Sequence, residues 1–313
     1  MALRVVFFGN SESALSNRHF HALMETPCEV VAVVDTPPSG RRSTNPAPLD
    51  SPGFVEVTRR RGAPAFEPAG PNRPEFVRAM RKLTPDLFVA VGYTNLLKEQ
   101  ILSVPRMLTA NFHASLLPAY RGRHPVFWAL RNGERRAGLT VHVMDSDFDT
   151  GDVLYQVKVR TRRDDTVSTL YERIMARSVL LVGRLIEDAR AGRLRRMPQS
   201  EDGASYYSSV SVEDFRLDWS WEAEELRRLI TITPGQCFCD IAGRRVFFMD
   251  AAVVGAGGAV RPGEVILISR GACTIAAGRD AVRVRRVRLE PAEEMSMAAL
   301  CRELGLGPGD SLA

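Results

Sequence analysis

Short apolar runs separated by amphipathic stretches recur through the first part of the chain. Leu3 to Phe8, Glu29 to Val34 and Pro85 to Val91 are nearly continuous apolar runs of strand length. Such runs are typical of strands that are buried on both faces of a parallel sheet. Helical spacing of apolar residues follows the first run as far as about Met24 and returns over residues 73–83. This alternation predicts an α/β fold built on a doubly wound, mostly parallel sheet.

The pattern changes in the second half of the chain. Residues 166–189 carry apolar side chains at helical spacing, which predicts one long packing helix. Residues 192–212 are basic and then rich in Ser and Tyr, as expected of a linker. Short strand-like runs with Gly-rich turns follow and predict a small, OB-like β-barrel. These runs are Phe238 to Ala242, Arg245 to Phe248, Glu264 to Ser269, Ala272 to Ala276 and Ala281 to Leu289. We therefore expect a first domain over residues 1–190, a linker over 191–212 and a second domain over 213–313.

Length and composition indicate a soluble globular protein. The chain has 313 residues, of which 45% are hydrophobic and 25% are charged, enough for two domains with sizeable cores. No apolar run is long enough to cross a bilayer, and the N-terminal run is too short for a signal peptide. The five cysteines are scattered, which favours reduced thiols and a cytoplasmic location.

The basic residues give only weak evidence for a nucleic-acid partner. The formal net charge is +5, which is modest for this length, and nearly all basic residues are arginine. Residues 36–52 are rich in Pro, Ser and Asn, include Arg41 and Arg42, and predict a long exposed loop. An arginine bias follows as easily from genome composition as from polyanion binding.

The strongest candidate for a catalytic motif is Asn-Phe-His-Ala-Ser-Leu-Leu-Pro, which directly follows the apolar run that ends at Ala110. Alternate residues of a strand share a face, so Asn111 and His113 are expected side by side. An amide donor next to an imidazole suits a carbonyl that becomes an oxyanion. An ordinary strand end followed by a turn is the structural alternative.

The acidic loop over residues 145–152, which follows a second strand, lacks the spacing of a metal site. Counted from Asp145, the glycine position of a calcium-binding EF-hand loop holds Thr150 and the bidentate acid position holds Gln156. Neither His142 nor the cysteines have zinc-ligand spacing. We therefore predict no metal. We also predict no NAD, because Gly9 alone stands where a dinucleotide-binding turn has three glycines.

The strand end and the acidic loop together resemble the folate-dependent formyltransferase family. The matching positions are Asn111, His113, Ser115 to Pro118 and Asp149 to Asp152. The resemblance covers nearly the whole chain, with features of both methionyl-tRNA formyltransferases and sugar N-formyltransferases. It implies that residues 1–190 form the catalytic domain, that Asn111, His113 and Asp149 are the catalytic residues, and that the formyl donor is 10-formyltetrahydrofolate.

The resemblance also implies the binding residues. Folate would meet the loop after the central strand, the Ser-Leu-Leu-Pro turn and the acidic loop, namely Tyr93, Thr94, Asn95, Leu97, Ser115, Leu116, Leu117, Pro118, Val143, Asp145 and Asp147. The acceptor would contact the first turn, namely Gly9, Asn10 and Ser11. Arg121 and Arg123 lie near the proposed site and are candidates to contact an anionic acceptor, with a solvated basic turn as the alternative. An ordinary structural turn explains residues 9–11 equally well. Leu96 is expected in the core.

The sequence leaves the acceptor open. Ala114 stands where the tRNA enzymes usually have glycine, and the Arg121-Gly122-Arg123-His124-Pro125 turn looks more like that of sugar N-formyltransferases. We therefore favour a small-molecule amine, either an amino sugar nucleotide or an amine derived from an amino acid. Methionyl-tRNA is the first alternative acceptor and water, in a formyltetrahydrofolate hydrolase, is the second. A non-catalytic binding protein or an oxidoreductase on the same sheet is the remaining reading.

Overall fold

A computed structural model describes residues 2–36, 52–256, 260–290 and 294–312. The predicted exposed loop lies outside the described residues over 37–51, and Arg41 and Arg42 lie there with it. The chain forms two compact units. The first comprises Met1–Val126, Arg136–Arg160 and Tyr171–Ser208, and the second comprises Phe127–Arg135, Thr161–Leu170 and Ser209–Ala313. The domain boundaries named above stay a prediction.

The first unit is built on a seven-stranded sheet in the order β3-β2-β1-β4-β5-β7-β8, with β6 and β9 forming a separate pair. The strands are β1 (Leu3–Gly9), β2 (Cys28–Asp35), β3 (Ala65–Phe66), β4 (Leu87–Val91), β5 (Leu108–His113), β6 (Arg121–Gly122), β7 (Arg136–Val143), β8 (Val153–Arg160) and β9 (Tyr206–Tyr207). From β3 to β5 the neighbours are parallel, whereas β7 and β8 pair antiparallel. The predicted mostly parallel α/β sheet is confirmed.

Helices follow the strands as the apolar spacing predicts. They are α1 (Ala14–Met24), α2 (Phe54–Arg60), α3 (Pro74–Lys82), α4 (Glu99–Leu102), α5 (Pro125–Arg131), α6 (Val167–Ser178) and α7 (Leu180–Arg190). The expected single helix over 166–189 is therefore two helices. The interruption follows Ser178, whose hydroxyl donates to the Met175 carbonyl and contacts the ring of His19 rather than solvent.

The carboxyl ends of the central strands form one row. Gly9 pairs with Val91, and Val91 pairs with Phe112. The turn after β1, the loop after β4 and His113 at the end of β5 therefore lie side by side at one edge of the sheet, where ligands of such sheets bind. Apolar side chains such as Phe8 and Phe88, with ring centroids 4.9 Å apart, fill the layer beneath the sheet.

The second unit holds two four-stranded antiparallel sheets, ordered β10-β11-β16-β17 and β12-β15-β14-β13. Its strands are β10 (Phe238–Ile241), β11 (Arg244–Phe248), β12 (Ala252–Val254), β13 (Val265–Ser269), β14 (Ala272–Ala276), β15 (Ala281–Val284), β16 (Arg286–Leu289) and β17 (Glu294–Ser296). Its helices are α8 (Ala223–Ile232) and α9 (Met297–Glu303), preceded by a 3-10 turn at Val212–Phe215. The expected C-terminal antiparallel β domain is confirmed.

One expected strand of this unit is wrong in detail. The run Ala281 to Leu289 divides at Arg285 into β15 and β16, which belong to different sheets. The Arg285 amide donates to the Asp250 carboxylate and its carbonyl accepts from Met297, so its backbone pairs outside both ladders. Across the described ranges, no helix is both long and apolar enough to cross a membrane.

Candidate active site

His113 ends β5 with its side chain buried, and Asn111 lies two residues earlier on the same strand. The register pairs Asn111 with His142 and His113 with Thr140 of β7. Alternation along the strand therefore puts the Asn and His side chains on one face, as the sequence predicted.

Asp149 joins these residues from the acidic loop. Its carboxylate accepts a hydrogen bond of 2.9 Å from the Gly122 amide and lies 3.5 Å from His113 Nδ1. Its backbone has φ of 58°, the left-handed region that is uncommon for residues other than glycine. The loop thus bends so that a carboxylate 36 positions further along the chain faces the imidazole.

Hydrogen bonds fix the tautomer of His113. Its Nε2 lies 2.8 Å from the Tyr120 carbonyl, which can only accept, so Nε2 carries the hydrogen. The neutral ring then presents an unprotonated Nδ1 to Asp149. Burial lowers the pKa of His113 below its ordinary value, although Asp149 and the Tyr120 carbonyl oppose that change and His142 adds to it. The site therefore holds a neutral base near neutral pH.

Asp149 is the matching anion. Burial by itself would raise the pKa of its carboxyl group. The neighbouring His113 and His142 and the Gly122 amide outweigh burial and hold this pKa well below its ordinary range. Asp149 is therefore ionised wherever the protein is folded at moderate pH.

His142 is a fourth member of this cluster that the sequence reasoning left out. Its Nδ1 lies 2.9 Å from the Val143 carbonyl, so Nδ1 carries the hydrogen. Its Nε2 therefore accepts a hydrogen bond of 3.1 Å from Asn111 Nδ2. The second amide hydrogen of Asn111 points at Asp149 Oδ1, 3.4 Å away. Both hydrogens of the Asn111 amide are thus engaged, the one toward Asp149 at the longer distance.

The segment after α7 completes the acidic loop. Gln199 Nε2 donates to the carbonyls of Asp149 and Gly151 at 2.8 and 2.7 Å. Further along, β9 pairs with β6, and the Ser205 hydroxyl accepts from the Tyr120 amide. The residues that we predicted to form a linker therefore contact both Asp149 and the turn that carries Tyr120.

The Ser-Leu-Leu-Pro turn is held from β7 and β8. The Thr140 hydroxyl donates to the Ser115 carbonyl and accepts from the Leu117 amide, and Gln156 donates to the Leu117 carbonyl. Ser115 and Leu117 are buried, while Leu116 and Pro118 are half-buried. Ser115 and Leu117 thus shape the site, and contact of this turn with folate stays a prediction.

The loop after β4 differs from expectation at its leucines. Leu97 is fully buried in the core, so a contact between Leu97 and folate is restricted to its main chain, whereas Leu96, expected in the core, is 36% exposed. Tyr93 packs edge-on against Phe8, and burial raises the pKa of Tyr93 to about 12. Thr94 is exposed and Asn95 half-buried. The Asn72 side chain holds this loop, because its Nδ2 donates to the Leu96 carbonyl and its Oδ1 accepts from the Lys98 amide.

A cavity of about 370 Å³ lies between α4 and the acidic loop. The predicted folate residues Val143 and Asp145 line it, and Asp147 is exposed beside Asp145, which accepts from its amide. The Asp145 carboxylate also accepts from the Thr150 hydroxyl at 2.8 Å. The remaining lining residues are Glu99, Leu102, Ser103, Met144, Thr150, Gly151, Asp152 and Arg196. Its size is within the range of small-ligand pockets.

Gly151 shows how tightly the acidic loop is folded. A Cβ at this position would lie 2.0 Å from the Val143 carbonyl oxygen, so only glycine fits. The Asp-Thr-Gly-Asp pattern therefore has a steric reason at its third residue.

The predicted acceptor residues of the first turn all have structural roles. A Cβ at Gly9 would lie 2.7 Å from the Phe7 ring, and its carbonyl accepts from Thr36. Asn10 Oδ1 accepts from the Glu12 amide, and the Ser11 amide donates to Asp35. A structural turn explains this stretch, and a contact with the acceptor stays a prediction.

The two arginines of the basic turn have different surroundings. Arg121 is buried and pairs with Glu201 at 3.0 Å while also donating to Gln199 Oε1. Arg123 is exposed, and its backbone amide donates to the Tyr207 carbonyl. Arg123 is therefore the accessible cation of the pair. In the part of the chain that the structure describes, no three His, Cys, Asp or Glu side chains are grouped to hold a metal ion.

Comparison with known proteins agrees with this geometry. Residues 3–182 match the family described as formyl transferase, and residues 209–305 match its C-terminal domain. The chain belongs to the formyl transferase family. It is 32% identical over 312 residues to methionyl-tRNA formyltransferase of Synechococcus sp. strain JA-3-3Ab, which covers 95% of this chain and 94% of that protein.

Solved structures share the fold of this formyltransferase. The N-formyltransferase from Helicobacter canadensis, in complex with folinic acid and dTDP-3-aminofucose, has a TM-score of 0.69 at 14% identity and covers 92% of this chain and 100% of that one. HypX from Aquifex aeolicus, in complex with tetrahydrofolic acid, has a TM-score of 0.60 at 20% identity over 98% of this chain and 48% of that one. Family membership confirms the predicted folate-dependent formyltransferase activity.

Proposed function

We propose that this formyltransferase moves the formyl group of 10-formyltetrahydrofolate to the α-amino group of methionyl-tRNA. The observation that supports this acceptor is the 32% identity to a methionyl-tRNA formyltransferase over 95% of the chain. The sugar enzyme named above is similar at only 14% identity, a likeness of fold alone. The proposal therefore replaces the small-molecule amine that the sequence motifs favoured.

The reaction is an acyl transfer through a tetrahedral intermediate. The amine nitrogen attacks the formyl carbon and the carbonyl electron pair moves onto oxygen. Collapse then breaks the bond from that carbon to the donor nitrogen, which leaves with a proton as tetrahydrofolate. The amine loses one proton in forming the amide, so the site needs a group that accepts a proton and delivers it to the leaving nitrogen.

His113 suits the proton transfer in this proposal. Its lowered pKa keeps the ring neutral, and its Nε2–H is committed to the Tyr120 carbonyl, so Nδ1 is the atom that takes the amine proton. The Asp149 carboxylate, 3.5 Å from Nδ1, stabilises the imidazolium that forms. His113 then returns the proton to the leaving nitrogen.

Asn111 is the proposed oxyanion donor. Its amide hydrogen toward Asp149 has the longer contact, 3.4 Å, so a developing negative charge on the formyl oxygen competes for that hydrogen at little cost. A single donor of this kind contributes roughly 3 kcal/mol to transition-state stabilisation. Asn111 keeps its other hydrogen bond, to His142, and so stays oriented.

The 370 Å³ cavity beside the acidic loop is the proposed pterin pocket. Thr150 and Gly151 line it directly after Asp149, so a ring bound there would have its one-carbon end near the carboxylate. Main-chain groups of Val143 and Asp145, together with residues 93–97, are the proposed contacts. The predicted folate residues of the sequence analysis thus remain part of the proposal.

A small-molecule amine is the second candidate, and the charge of the C-terminal region favours it. Residues 209–313 contain 13 basic and 15 acidic residues, so this region has no net positive charge to attract an RNA backbone. An amino sugar nucleotide needs only one or two arginine contacts.

An acceptor comparison tests the proposal. Purified protein with 10-formyltetrahydrofolate is offered initiator methionyl-tRNA, a panel of amino sugar nucleotides, or no acceptor, and products are identified by mass spectrometry. We expect formylmethionyl-tRNA, with a rate that falls steeply between low and moderate salt. Formylation of a sugar amine alone, with shallow salt dependence, would establish the second candidate, and steady release of formate without acceptor would indicate a hydrolase.

A further inference from the structure

Two aromatic rings are exposed next to Asp149. Phe148 is 53% exposed and Tyr206 is 57% exposed, and their ring centroids are 6.2 Å apart at an angle of 56°. They are the two aromatic rings among the exposed large hydrophobic side chains of the described residues. Full burial of such a ring is worth roughly 2–3 kcal/mol, so two neighbouring rings left in water indicate a surface that a ligand covers.

Each ring is linked to Asp149, Phe148 through the chain and Tyr206 through Gly122. Phe148 directly precedes Asp149 in the chain. The Tyr206 ring lies against Gly122, where a Cβ would be only 2.9 Å from it, and the Gly122 amide donates to the Asp149 carboxylate. A molecule stacked on these rings is thus held beside the proposed proton-transfer pair.

A cation follows in the same turn. Arg123 comes directly after Gly122, and its amide donates to the carbonyl of Tyr207, the neighbour of Tyr206. Its side chain is exposed and forms no ion pair with any residue that the structure describes, whereas Arg121 is neutralised by Glu201. Arg123 is therefore an accessible cation in the turn that pairs with the Tyr206 strand.

We propose that Phe148, Tyr206 and Arg123 form a nucleotide subsite for the acceptor, in which the rings stack on a nucleobase and Arg123 contacts a phosphate. The inference rests on the proposed function only in that the acceptor carries a nucleotide. The 3′-terminal adenosine of an aminoacyl-tRNA and the nucleoside diphosphate of an amino sugar share this chemistry. Aromatic rings bind any base through its π-face, and an adjacent guanidinium suits phosphate.

Steady-state kinetics with initiator methionyl-tRNA tests the subsite. We expect Phe148→Ala and Tyr206→Ala each to raise the KM for the tRNA about tenfold, as for loss of one stacked base, while the KM for 10-formyltetrahydrofolate is unchanged. Tyr206→Phe keeps the ring and should behave as the parent. Arg123→Gln should raise the tRNA KM at low salt, with a smaller effect at high salt.

Leu180→Ala is the matched control, because Leu180 is 73% exposed on α7 and belongs to neither the rings nor the turn. It should leave both KM values unchanged. A rise in the donor KM with an unchanged acceptor KM would overturn the inference and assign the rings to the aromatic ring of folate. Unchanged KM values for both substrates in Phe148→Ala and Tyr206→Ala would also overturn it.

Direct binding separates this inference from the proposed tRNA activity. AMP and UDP are titrated into the parent and the Tyr206→Ala protein, with binding followed by saturation-transfer NMR of the nucleobase protons. A base signal in the parent that is lost in Tyr206→Ala supports the subsite even if methionyl-tRNA is not formylated, and preference for UDP would then point to a nucleotide sugar. Absence of a signal from both nucleotides in a parent that also fails to formylate tRNA would overturn it.

Discussion

The side-chain amide of Gln199 donates a hydrogen bond of 2.8 Å to the backbone carbonyl of Asp149. The same amide nitrogen donates to the Gly151 carbonyl at 2.7 Å, so one side chain closes the acidic loop from outside. Asp149 needs such support because its φ of 58° is unfavourable for a residue with a Cβ. The direction of its carboxylate thus depends on a residue 50 positions further along the chain.

Replacement of Gln199 should therefore impair catalysis more than stability. We expect Gln199→Ala to lower kcat about tenfold or more, because a carboxylate displaced by even 1 Å stabilises the imidazolium poorly. The loss of Asp149 from the face of His113 should also lower the pKa of His113 further. Activity assays and a histidine NMR titration measure the two effects.

Two variants complete this test. Gln199→Glu keeps the size and an acceptor for Arg121 but puts an oxygen against two carbonyls, so it should be as impaired as Gln199→Ala. Ser200→Ala changes the exposed neighbour and should have parent activity. A kcat within twofold of the parent in both Gln199 variants would show that the loop keeps its shape without this contact.

The proposed catalytic residues lead to a second prediction. His113→Ala and Asp149→Asn should each lower kcat by about 10²–10⁴-fold, the range for loss of a general acid–base group, with little change in circular dichroism. Asn111→Ala should cost roughly 10²–10³-fold, as for removal of an oxyanion donor. His21→Ala is the control, since His21 is a half-buried histidine that hydrogen-bonds the Pro52 carbonyl and lies outside this cluster. Near-parent turnover in His113→Ala would contradict the mechanism.

The sequence predicted the members of the site that belong to its own motifs. Strand alternation put Asn111 and His113 on one face, and Asp149, which the family resemblance implied, does meet them. His142 was considered only as a zinc ligand, although strand pairing with Asn111 brings it to the same carboxylate. Gln199 lies in a polar stretch without periodicity, so no local signal distinguishes it from a linker residue. Its contact with Asp149 becomes visible only in the fold, which brings the residues after α7 back to the acidic loop.

The same limit applies to the fold. Long apolar runs predicted the central strands correctly, because burial on both faces needs no information from elsewhere in the chain. The two-residue strands β6 and β9 carry no pattern and depend on their mutual pairing. The basic turn likewise indicated that both Arg121 and Arg123 could contact an anion. Its sequence gave no sign that Glu201, 80 positions further along, pairs with Arg121.

The pH dependence of activity follows from the lowered pKa of His113. The neutral ring is the active form, so kcat/KM should be constant near neutral pH and fall as the pH drops through the folded-state pKa, which lies below the ordinary 6.5. Asp149 raises the pKa of His113, so removal of the Asp149 charge lowers that pKa. In Asp149→Asn the residual activity should therefore fall at lower pH than in the parent. A fall at higher pH in that variant would contradict the pairing.

Stability should also decline in mild acid, and His19 is one of the groups responsible. Burial lowers the pKa of this histidine to about 4, opposed in part by the Leu15 carbonyl. The unfolded chain takes up the proton below about 6.5, so the contribution is fully present above that pH and is lost as the pH falls toward 4. The difference corresponds to roughly 3 kcal/mol. Urea unfolding at several pH values measures it, and in His19→Asn the decline should be smaller; an identical decline would assign it to other groups.

Truncation tests whether residues 191–208 belong to the catalytic site. A chain that ends at Ser208 keeps Gln199 and β9, whereas one that ends at Arg190 loses them together with the Met197 pairing to Val153. Each lost hydrogen bond is worth about 1 kcal/mol, and the acidic loop that lines the proposed pterin pocket loses its support. We expect calorimetry to give a folate Kd for the shorter chain at least about tenfold weaker than for the longer one.

The comparison is internally matched. Both truncations remove Phe215, which packs on Phe127 at a ring distance of 5.6 Å, so any loss from that exposed surface is common to both chains. Circular dichroism confirms that each chain is folded before binding is measured. Equal folate affinity in two folded chains would show that the acidic loop holds its shape alone, and that the contact of Gln199 with Asp149 contributes nothing to binding. If the shorter chain binds folate more weakly, Gln199→Ala is introduced into the chain that ends at Ser208. A folate affinity as weak as that of the shorter chain would assign the effect to the Gln199 side chain.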